Sequence, residues 1–347
     1  MRVLCLVDGP VLPPDRWMWN HLPESAQGDE VDFLWASPKD RFRKWGKLIS
    51  YYPQYLRLGW KAVTSNKRQG RYDLIVAWES KMGFPAAVAR GLMGVDHPPL
   101  LVLAFSYKGA ATHFPLFSKW STRAISHFTV LSPEEPAYYS KTLGIPQQRI
   151  TFCPLGWHDI CKDVQATKEL GSYIFASGRS YRDYRTFLSA MEGVQAKVVV
   201  NTRRFALSSA AMPPNVSVNE YMPEKEYAQL LAGANFVVVP LYATPHAAGE
   251  GTIIQAMSAG KALVATCTAS TAYYIEDGVT GILVPPHDAA AMEKACRYLL
   301  DHPDTCAYMG IQARQKYEMH FTSEYAAGCQ YAVMQRLVGL HNNDRRL

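Results

Sequence analysis

The sequence GEGTIIQAMSAGKALVAT, residues 249–266, decides the fold of this protein. Gly249 and Gly251 open a short helix, Gly260 ends it, and Ala262–Thr266 has the apolar character of a buried β-strand. The first-turn N–H groups of such a helix have no intrahelical partner, so they are free to bind an anion. The stretch therefore predicts an anion-binding cradle beside a strand of an α/β sheet.

Polar side chains that could face this cradle come from two places. Thr252 and Gln255 share one face of the short helix. That face could point to solvent, or it could point to a ligand. Upstream, Gly178, Arg179 and Arg182 follow an apolar strand at a strand-to-helix turn. Arginine suits phosphate oxygens because it offers planar, bidentate, permanently charged donors. The alternative is that the two arginines are ordinary surface residues at a helix start.

Short apolar strands alternate with helical stretches along the whole chain, which is the pattern of parallel sheets with crossover helices. We predict strands at 2–7, 31–35, 74–77, 100–105, 128–131 and 150–153, and again at 173–176, 197–201, 216–219, 236–240, 262–266 and 281–284. The sequence therefore predicts an α/β fold of two doubly wound, Rossmann-like domains. Segment 154–171, with little periodicity, is the expected linker between them.

The composition of the 347-residue chain is globular, with 48% hydrophobic and 19% charged residues. Its apolar runs are far shorter than the ~18 residues that span a bilayer, and Asp8 interrupts the N-terminal run before a signal-peptide core could form. The seven cysteines form no C-x-x-C pair, which is typical of reduced thiols. We therefore expect a cytoplasmic protein.

The net charge of +6 is concentrated in one segment, because residues 38–71 alone carry +9. A nucleic-acid-binding protein would spread its basic residues more widely, so we expect one local anionic contact and no nucleic acid. Residues 41–52 have the pattern of a basic amphipathic helix, which Pro53 interrupts before a second aromatic stretch at 55–63. Segment 39–63 could therefore dock on the inner face of an anionic membrane, or it could be a packed helix with a solvated basic face.

The second half resembles the C-terminal domain of the retaining family 4 glycosyltransferases. The resemblance is carried by residues 249–266, by 277–288 (DGVTGILVPPHD), by Gly178-Arg179 and by the turn Pro154-Leu155-Gly156. It implies the GT-B fold, in which two facing Rossmann-like domains bind an acceptor and a sugar nucleotide. It also implies an acceptor domain over 1–160, a nucleotide-sugar domain over 161–324 and a helix over 325–347 that crosses back to the first domain. No metal or other cofactor is expected, and the Asp-x-Asp metal motif of the other main glycosyltransferase fold is absent from the sequence.

The chain departs from that family at two acidic positions, which here hold Ala247 and Gln255. Glu250 could replace the lost carboxylate toward the sugar hydroxyls, and Gln255 could still bind the ribose. By the resemblance, the nucleotide would be bound by residues of the cradle, the arginine turn and the nearby strand ends: Gly178, Asn201, Tyr221, Met222, Gly249, Gly251, Thr252 and Gln255.

Departure of a nucleoside diphosphate builds negative charge, which Arg179, Arg182 and the cradle amides would stabilise without a metal. A retaining enzyme needs no strong protein base, because the departing phosphate can accept the proton. An inverting enzyme would need one, and Glu79 and Asp15 are the candidates in the first half. Two other functions stay open: a degenerate protein that binds a sugar nucleotide or glycan without turnover, and a sugar-nucleotide epimerase.

Overall fold

A computed structural model describes residues 1–8, 18–36, 52–69, 72–94, 98–106, 115–164, 172–203, 212–220 and 222–344. The chain forms two compact units. The first consists of Met1–Pro154 together with Ala326–Leu347, and the second of Leu155–Tyr325. The division lies after Pro154 rather than after residue 160, the boundary expected from the sequence.

The first unit contains a six-stranded parallel sheet in the order β2-β1-β3-β4-β5-β6. Its strands are β1 (Arg2–Asp8), β2 (Glu30–Ala36), β3 (Leu74–Ala77), β4 (Leu100–Val102), β5 (His127–Val130) and β6 (Ile150–Phe152). The second unit repeats this architecture in the order β12-β11-β10-β7-β8-β9. Its strands are β7 (Tyr173–Ser177), β8 (Lys197–Asn201), β9 (Val216–Asn219), β10 (Phe236–Val239), β11 (Ala262–Thr266) and β12 (Gly281–Val284).

Helices connect these strands in both units. The first unit holds α1 (Tyr52–Gln69), α2 (Ser80–Met93), α3 (Pro115–Arg123) and α4 (Glu135–Leu143). The second unit holds α5 (Tyr184–Glu192), α6 (Glu224–Gly233), α7 (Glu250–Ser258), α8 (Ala269–Tyr274), α9 (Ala289–Asp301) and α10 (Pro303–His320). The long helix α11 (Ser323–Asp344) starts in the second unit, and most of it belongs to the first.

Each sheet is buried on both faces, as parallel sheets require. In β1, Leu4 and Leu6 face a core that includes α1 and α2, while Val3, Cys5 and Val7 face a core that includes α11. In the second unit, one core packs α6, α7 and α10 against the sheet, and the other packs α5 and α9 against the opposite face. Both predicted doubly wound sheets are thereby confirmed.

Local signals explain several helix starts. Asp288 caps α9 by accepting a hydrogen bond from the Ala291 N–H at 2.8 Å. At the start of α4, the Glu135 carboxylate accepts a hydrogen bond from the Ser132 N–H at 3.1 Å. Pro53 lies in the first turn of α1, where proline is well tolerated because its nitrogen carries no hydrogen and needs no hydrogen-bond acceptor. The basic helix predicted at 41–52 lies almost entirely outside the described residues.

Candidate active site

The switch point of the second sheet lies between β7 and β10. The chain runs from β7 outward through β8 and β9, and then returns to the other side of β7 to form β10, β11 and β12. Open parallel sheets bind ligands at the carboxyl ends of the strands beside such a point. The two loops that begin there follow Ser177 at the end of β7 and Val239 at the end of β10.

Helix α7 begins at this edge with Glu250, directly after Gly249. Gly249 has a left-handed φ of 94°, and a Cβ atom there would lie 3.1 Å from Val239 Cγ1 and 3.2 Å from Leu241 Cδ1. Both the backbone conformation and the close packing therefore require glycine. The space beside Gly251, in the first helical turn, is open. The helix predicted from the sequence is formed, and the unsatisfied amides of its first turn attract negative charge.

Arg182 lies beneath the turn that follows β7 and is only 9% exposed. Its Nε donates to the Ser177 carbonyl at 2.8 Å, its Nη1 to the Ser180 carbonyl at 3.1 Å, and its Nη2 to Thr252 Oγ1 at 2.9 Å. Three of its five N–H donors are thus used inside the protein. The structure makes Arg182 a brace between the turn and α7, whereas Arg179 is exposed at the turn.

Next to Arg182, four side chains form a row of hydrogen-bonding groups that begins with Thr252. Thr252 Oγ1 lies 3.5 Å from Ser177 Oγ, which lies 2.9 Å from the Tyr227 hydroxyl, and that hydroxyl donates to Gln255 Oε1 at 3.1 Å. We call the residues Arg182, Thr252, Ser177, Tyr227 and Gln255 the polar row. Burial raises the pKa of the Tyr227 phenol to about 12, so it stays protonated. Sequence reasoning missed Ser177 and Tyr227; in the sequence Tyr227 has only the signal of an aromatic residue on an apolar helix face.

Glu250 is 6% exposed, and its Oε1 accepts a hydrogen bond from Ser270 Oγ at 2.5 Å. This carboxylate therefore turns toward α8, inside the domain. At the same edge, a cavity of about 370 Å³ opens between the loops that follow β10 and β11. The residues that line this cavity are Ala243, Thr244, Pro245, Cys267, Thr268 and Ala269.

The other predicted nucleotide contacts lie near the ends of β8 and β9. Asn201 Nδ2 donates to the carbonyls of Asn219 and Glu220, at 3.3 and 2.7 Å, so its amide joins the ends of the two strands. Met222 is half-buried, and Tyr221 lies outside the described residues.

A histidine that the sequence analysis did not single out lies at the same edge. His287 Nδ1 is 2.8 Å from Asp183 Oδ2, and Asp183 is buried where it caps α5. The His287 backbone has a left-handed φ of 61°, its side chain is 59% exposed, and its ring centroid lies 5.7 Å from that of Tyr242. The contact joins the starts of α5 and α9.

The switch point of the first sheet lies between β1 and β3. There, Asp8 accepts a hydrogen bond from the Tyr55 hydroxyl at 2.6 Å and pairs with Lys81 Nζ at 2.5 Å. Lys81 Nζ also lies 3.1 Å from Glu79 Oε2, so the predicted candidate base Glu79 is ion-paired. The second candidate, Asp15, lies outside the described residues. Asp8 was missed, although it ends an apolar strand just as Glu79 follows one.

A larger cavity, of about 530 Å³, lies near Gly260 and Arg314, on the side of the sheet where β11 begins. We favour the carboxyl edge as the site, because Arg314 is already paired with Asp159 and Glu318. In the part of the chain that the structure describes, no three His, Cys, Asp or Glu residues are grouped to hold a metal ion. None of the described helices has the length and apolarity needed to cross a membrane.

Comparison with known proteins supports this choice of domain. Residues 173–302, which contain the cradle and the polar row, match the model of the family Glycosyl transferases group 1. The D-rhamnosyltransferase WbpZ of Pseudomonas aeruginosa is 27% identical over 151 residues, or 42% of this chain. The match spans 40% of the length of that relative.

Solved structures resemble the chain over nearly its whole length. Sucrose-phosphate synthase from Thermosynechococcus elongatus has a TM-score of 0.74 at 15% identity, with 98% of this chain and 99% of that chain covered. Anabaena HepE in complex with UDP-glucose has a TM-score of 0.69 at 13% identity, with 99% and 100% covered. At these identities the likeness shows the fold, which is the predicted GT-B fold. The chain therefore has the GT-B fold, and residues 173–302 of its second unit match the Glycosyl transferases group 1 family.

Proposed function

We propose that the protein is a glycosyltransferase that moves a hexose from a UDP- or GDP-sugar to a glycan or lipid-linked acceptor, without a metal and with retention. The observation that carries the proposal is the N-terminus of α7 at the switch point of the second sheet, next to the turn that bears Arg179. First-turn amides and an exposed arginine suit a diphosphate leaving group, because both stabilise the charge that develops on it.

Relatives support the donor class. HepE has been solved with UDP, and with UDP-glucose. In this chain, the cavity of about 370 Å³ between the loops that follow β10 and β11 is large enough for a hexose ring. Retention is proposed because the departing phosphate can serve as the base, whereas Glu79 is held in an ion pair with Lys81.

The acceptor is proposed to bind at the carboxyl edge of the first sheet, around Asp8, Glu79 and Lys81. Carboxylates and an ammonium can hydrogen-bond the hydroxyl groups of a glycan. We further propose that the reaction takes place in the cytoplasm, at the inner face of an anionic membrane.

Helix α1 supports the membrane contact. One face, with Tyr55, Leu58 and Ala62, is buried, while Leu56 and Trp60 are 46% and 50% exposed, one turn apart. Arg57 and Lys61 are exposed next to them, and five further basic residues lie between positions 39 and 47, just before the helix in sequence. A face with apolar and basic side chains is suited to a lipid surface, where each basic residue contributes about 1 kcal/mol.

The proposed activity is tested in two steps. Thermal-shift measurements with UDP, GDP and their sugars should identify a ligand that stabilises the protein. Slow hydrolysis of that sugar nucleotide, with the anomer of the released sugar followed by NMR, should then show turnover with retention. Tight binding with no hydrolysis or transfer would favour a degenerate protein that only binds the sugar nucleotide. The loss of both acidic residues of the family, at Ala247 and Gln255, is consistent with that alternative.

The membrane contact is tested by sedimentation with phosphatidylglycerol vesicles. Trp60→Glu should abolish the binding seen at low salt, whereas Ile311→Glu, which changes an exposed apolar residue of α10, should leave it intact. No binding of the unaltered protein at low salt would reject the contact.

A further inference from the structure

The chemistry of the side chains in the polar row determines which of them donates and which accepts in each hydrogen bond. A guanidinium can only donate hydrogen bonds, so Thr252 Oγ1 accepts from Arg182. The Thr252 hydroxyl hydrogen is then left for its only other neighbour in the row, Ser177 Oγ at 3.5 Å. Ser177 in turn donates to the Tyr227 oxygen at 2.9 Å, and Tyr227 donates to Gln255 at 3.1 Å. Every hydroxyl in this arrangement accepts once and donates once.

The reverse direction leaves one group unsatisfied. If Tyr227 donated to Ser177, then Ser177 would donate to Thr252, which already accepts from Arg182. The Thr252 hydroxyl hydrogen would then have no acceptor among the described residues, although Thr252 is only 8% exposed. A buried donor without a partner costs about 1–3 kcal/mol. The forward direction is therefore preferred.

We propose that Tyr227 is a positioning residue that holds the Gln255 carboxamide with its oxygen toward the protein and its NH₂ group toward the ligand. Gln255 then acts as a specificity-determining donor to an oxygen of the bound nucleoside diphosphate. This inference rests on the proposed function. It differs from a role as an acidic ribose ligand, because a carboxylate at position 255 would accept hydrogen bonds and could donate none.

The position of Gln255 supports this role. It lies on α7 one turn after Thr252, on the same face of the helix, and its side chain is partly exposed while Thr252 and Ser177 are buried. The row thus begins inside the domain and ends at its surface. Its only charge is the permanent charge of Arg182, so the direction does not change with pH near neutrality.

The experiment measures the affinities of UDP and GDP by calorimetry for the full-length protein and its variants. Tyr227→Phe removes one hydroxyl and leaves the ring, and it should weaken binding about 3- to 10-fold because Gln255 is no longer held. Gln255→Leu should weaken binding by a similar factor, and the double variant should show no further loss. Tyr173→Phe is the matched control, since its hydroxyl donates to the Leu230 carbonyl of the same helix α6, away from the row.

A charge change provides a second readout. Gln255→Glu keeps the acceptor for Tyr227 but replaces the outward donor by a negative oxygen. Its affinity relative to the unaltered protein should fall at least 10-fold at pH 7.5, and it should recover only as the pH falls to about 4.3, the ordinary pKa of a glutamate side chain, where the carboxyl group takes up a proton and can donate again. A merely structural role of Gln255 would not produce this recovery.

Different experimental results would reject the proposed function and the proposed role of the polar row. If UDP, GDP and their sugars all fail to bind the unaltered protein, the proposed function and the ligand role of Gln255 are both wrong. If they bind but Tyr227→Phe matches the unaltered protein, or if the effects of Tyr227→Phe and Gln255→Leu multiply in the double variant, only the row is wrong. Equal or higher affinity of Gln255→Glu at pH 7.5 would overturn the donor role.

Discussion

The carboxyl edges of the two sheets share one topology but are built differently. In the second unit, Arg182, Thr252 and Ser177 are less than 10% exposed and hydrogen-bond one another across the switch point. In the first unit, the corresponding charges are partly in water, since the side chains of Lys81 and Glu79 are 40% and 48% exposed. One edge is therefore preorganised, while the other leaves its charged groups at the surface.

This difference is consistent with two kinds of ligand. A diphosphate is the same in every sugar nucleotide, so a rigid cradle can serve it without adjustment. Acceptors vary in shape, and loops at a partly exposed edge can change without disturbing the sheet. On this view, substitutions at the second edge should reduce both stability and nucleotide binding, whereas substitutions at the first edge should alter transfer alone.

The largest effect is expected from Gly178→Ala in the turn of the second unit. Gly178 has a left-handed φ of 111°, and a Cβ atom there would overlap the Arg182 guanidinium. We expect strain and the loss of the brace to cost about 4 kcal/mol, measured by chemical unfolding, and nucleotide affinity to fall more than about 10-fold.

Gly278→Ala is the matched control in the same unit. Gly278 also has a left-handed φ, of 76°, but the space beside it is open, so only the backbone strain applies. Equal losses in the two variants would show that Arg182 is not a brace, and the contrast between the two edges would then disappear.

A smaller effect, dependent on pH, is expected in the first unit. His127 is buried, and its Nε2 lies 2.8 Å from Thr151 Oγ1 and 3.2 Å from Arg336 Nη2. Burial, followed by the charges of Arg336 and Arg149, lowers its pKa to about 4. The folded unit therefore binds fewer protons than the unfolded chain between about pH 6.5 and 4.

This unit should accordingly be most stable above pH 6.5 and lose about 3 kcal/mol as the pH falls from 6.5 to 4. Calorimetric unfolding at several pH values should show the loss, and His127→Gln should flatten this part of the profile. An unchanged profile in that variant would assign the acid sensitivity to other groups. The polar row of the second unit contains no histidine and should not contribute to this loss.

The smallest effect on stability is expected from Glu79→Gln at the first edge. An ion pair as exposed as Glu79–Lys81 contributes less than about 1 kcal/mol, so the unfolding temperature and the nucleotide affinity should stay nearly unchanged. Transfer to the acceptor should fall by less than 10-fold if the enzyme is retaining. A loss of 100-fold or more would identify Glu79 as the base of an inverting enzyme.

Much of this architecture could be predicted from the sequence because local signals carry it. Apolar runs placed all twelve strands, and the glycines around residue 250 placed α7 at the edge of its sheet. The main boundary error, at 103–105, has a local cause: β4 ends at Val102, and Ala104 has a left-handed φ of 44°. A run of apolar residues gives no sign of such a turn.

The partners of the site residues could not be predicted in the same way. Arg182 was expected to face a ligand, but Tyr181 takes a left-handed φ of 57° and the chain turns Arg182 inward. The contacts of Tyr227 with Gln255 and of His287 with Asp183 join residues 28 and 104 positions apart. Such pairs depend on how helices pack on the sheet, which hydrophobic periodicity does not encode.

The first unit is formed by two stretches of the chain that are far apart in sequence, and this has a consequence for synthesis of the protein. Val3, Cys5 and Val7 of β1 pack in one core with Tyr331, Val333 and Met334 of α11. A ribosome makes β1 and the whole second unit before it makes α11, so the second unit is complete in sequence while one face of the first sheet is not yet covered by its helix. The first unit is therefore expected to reach its full stability after the second, and a protein cut after Pro154 would expose that face to aggregation.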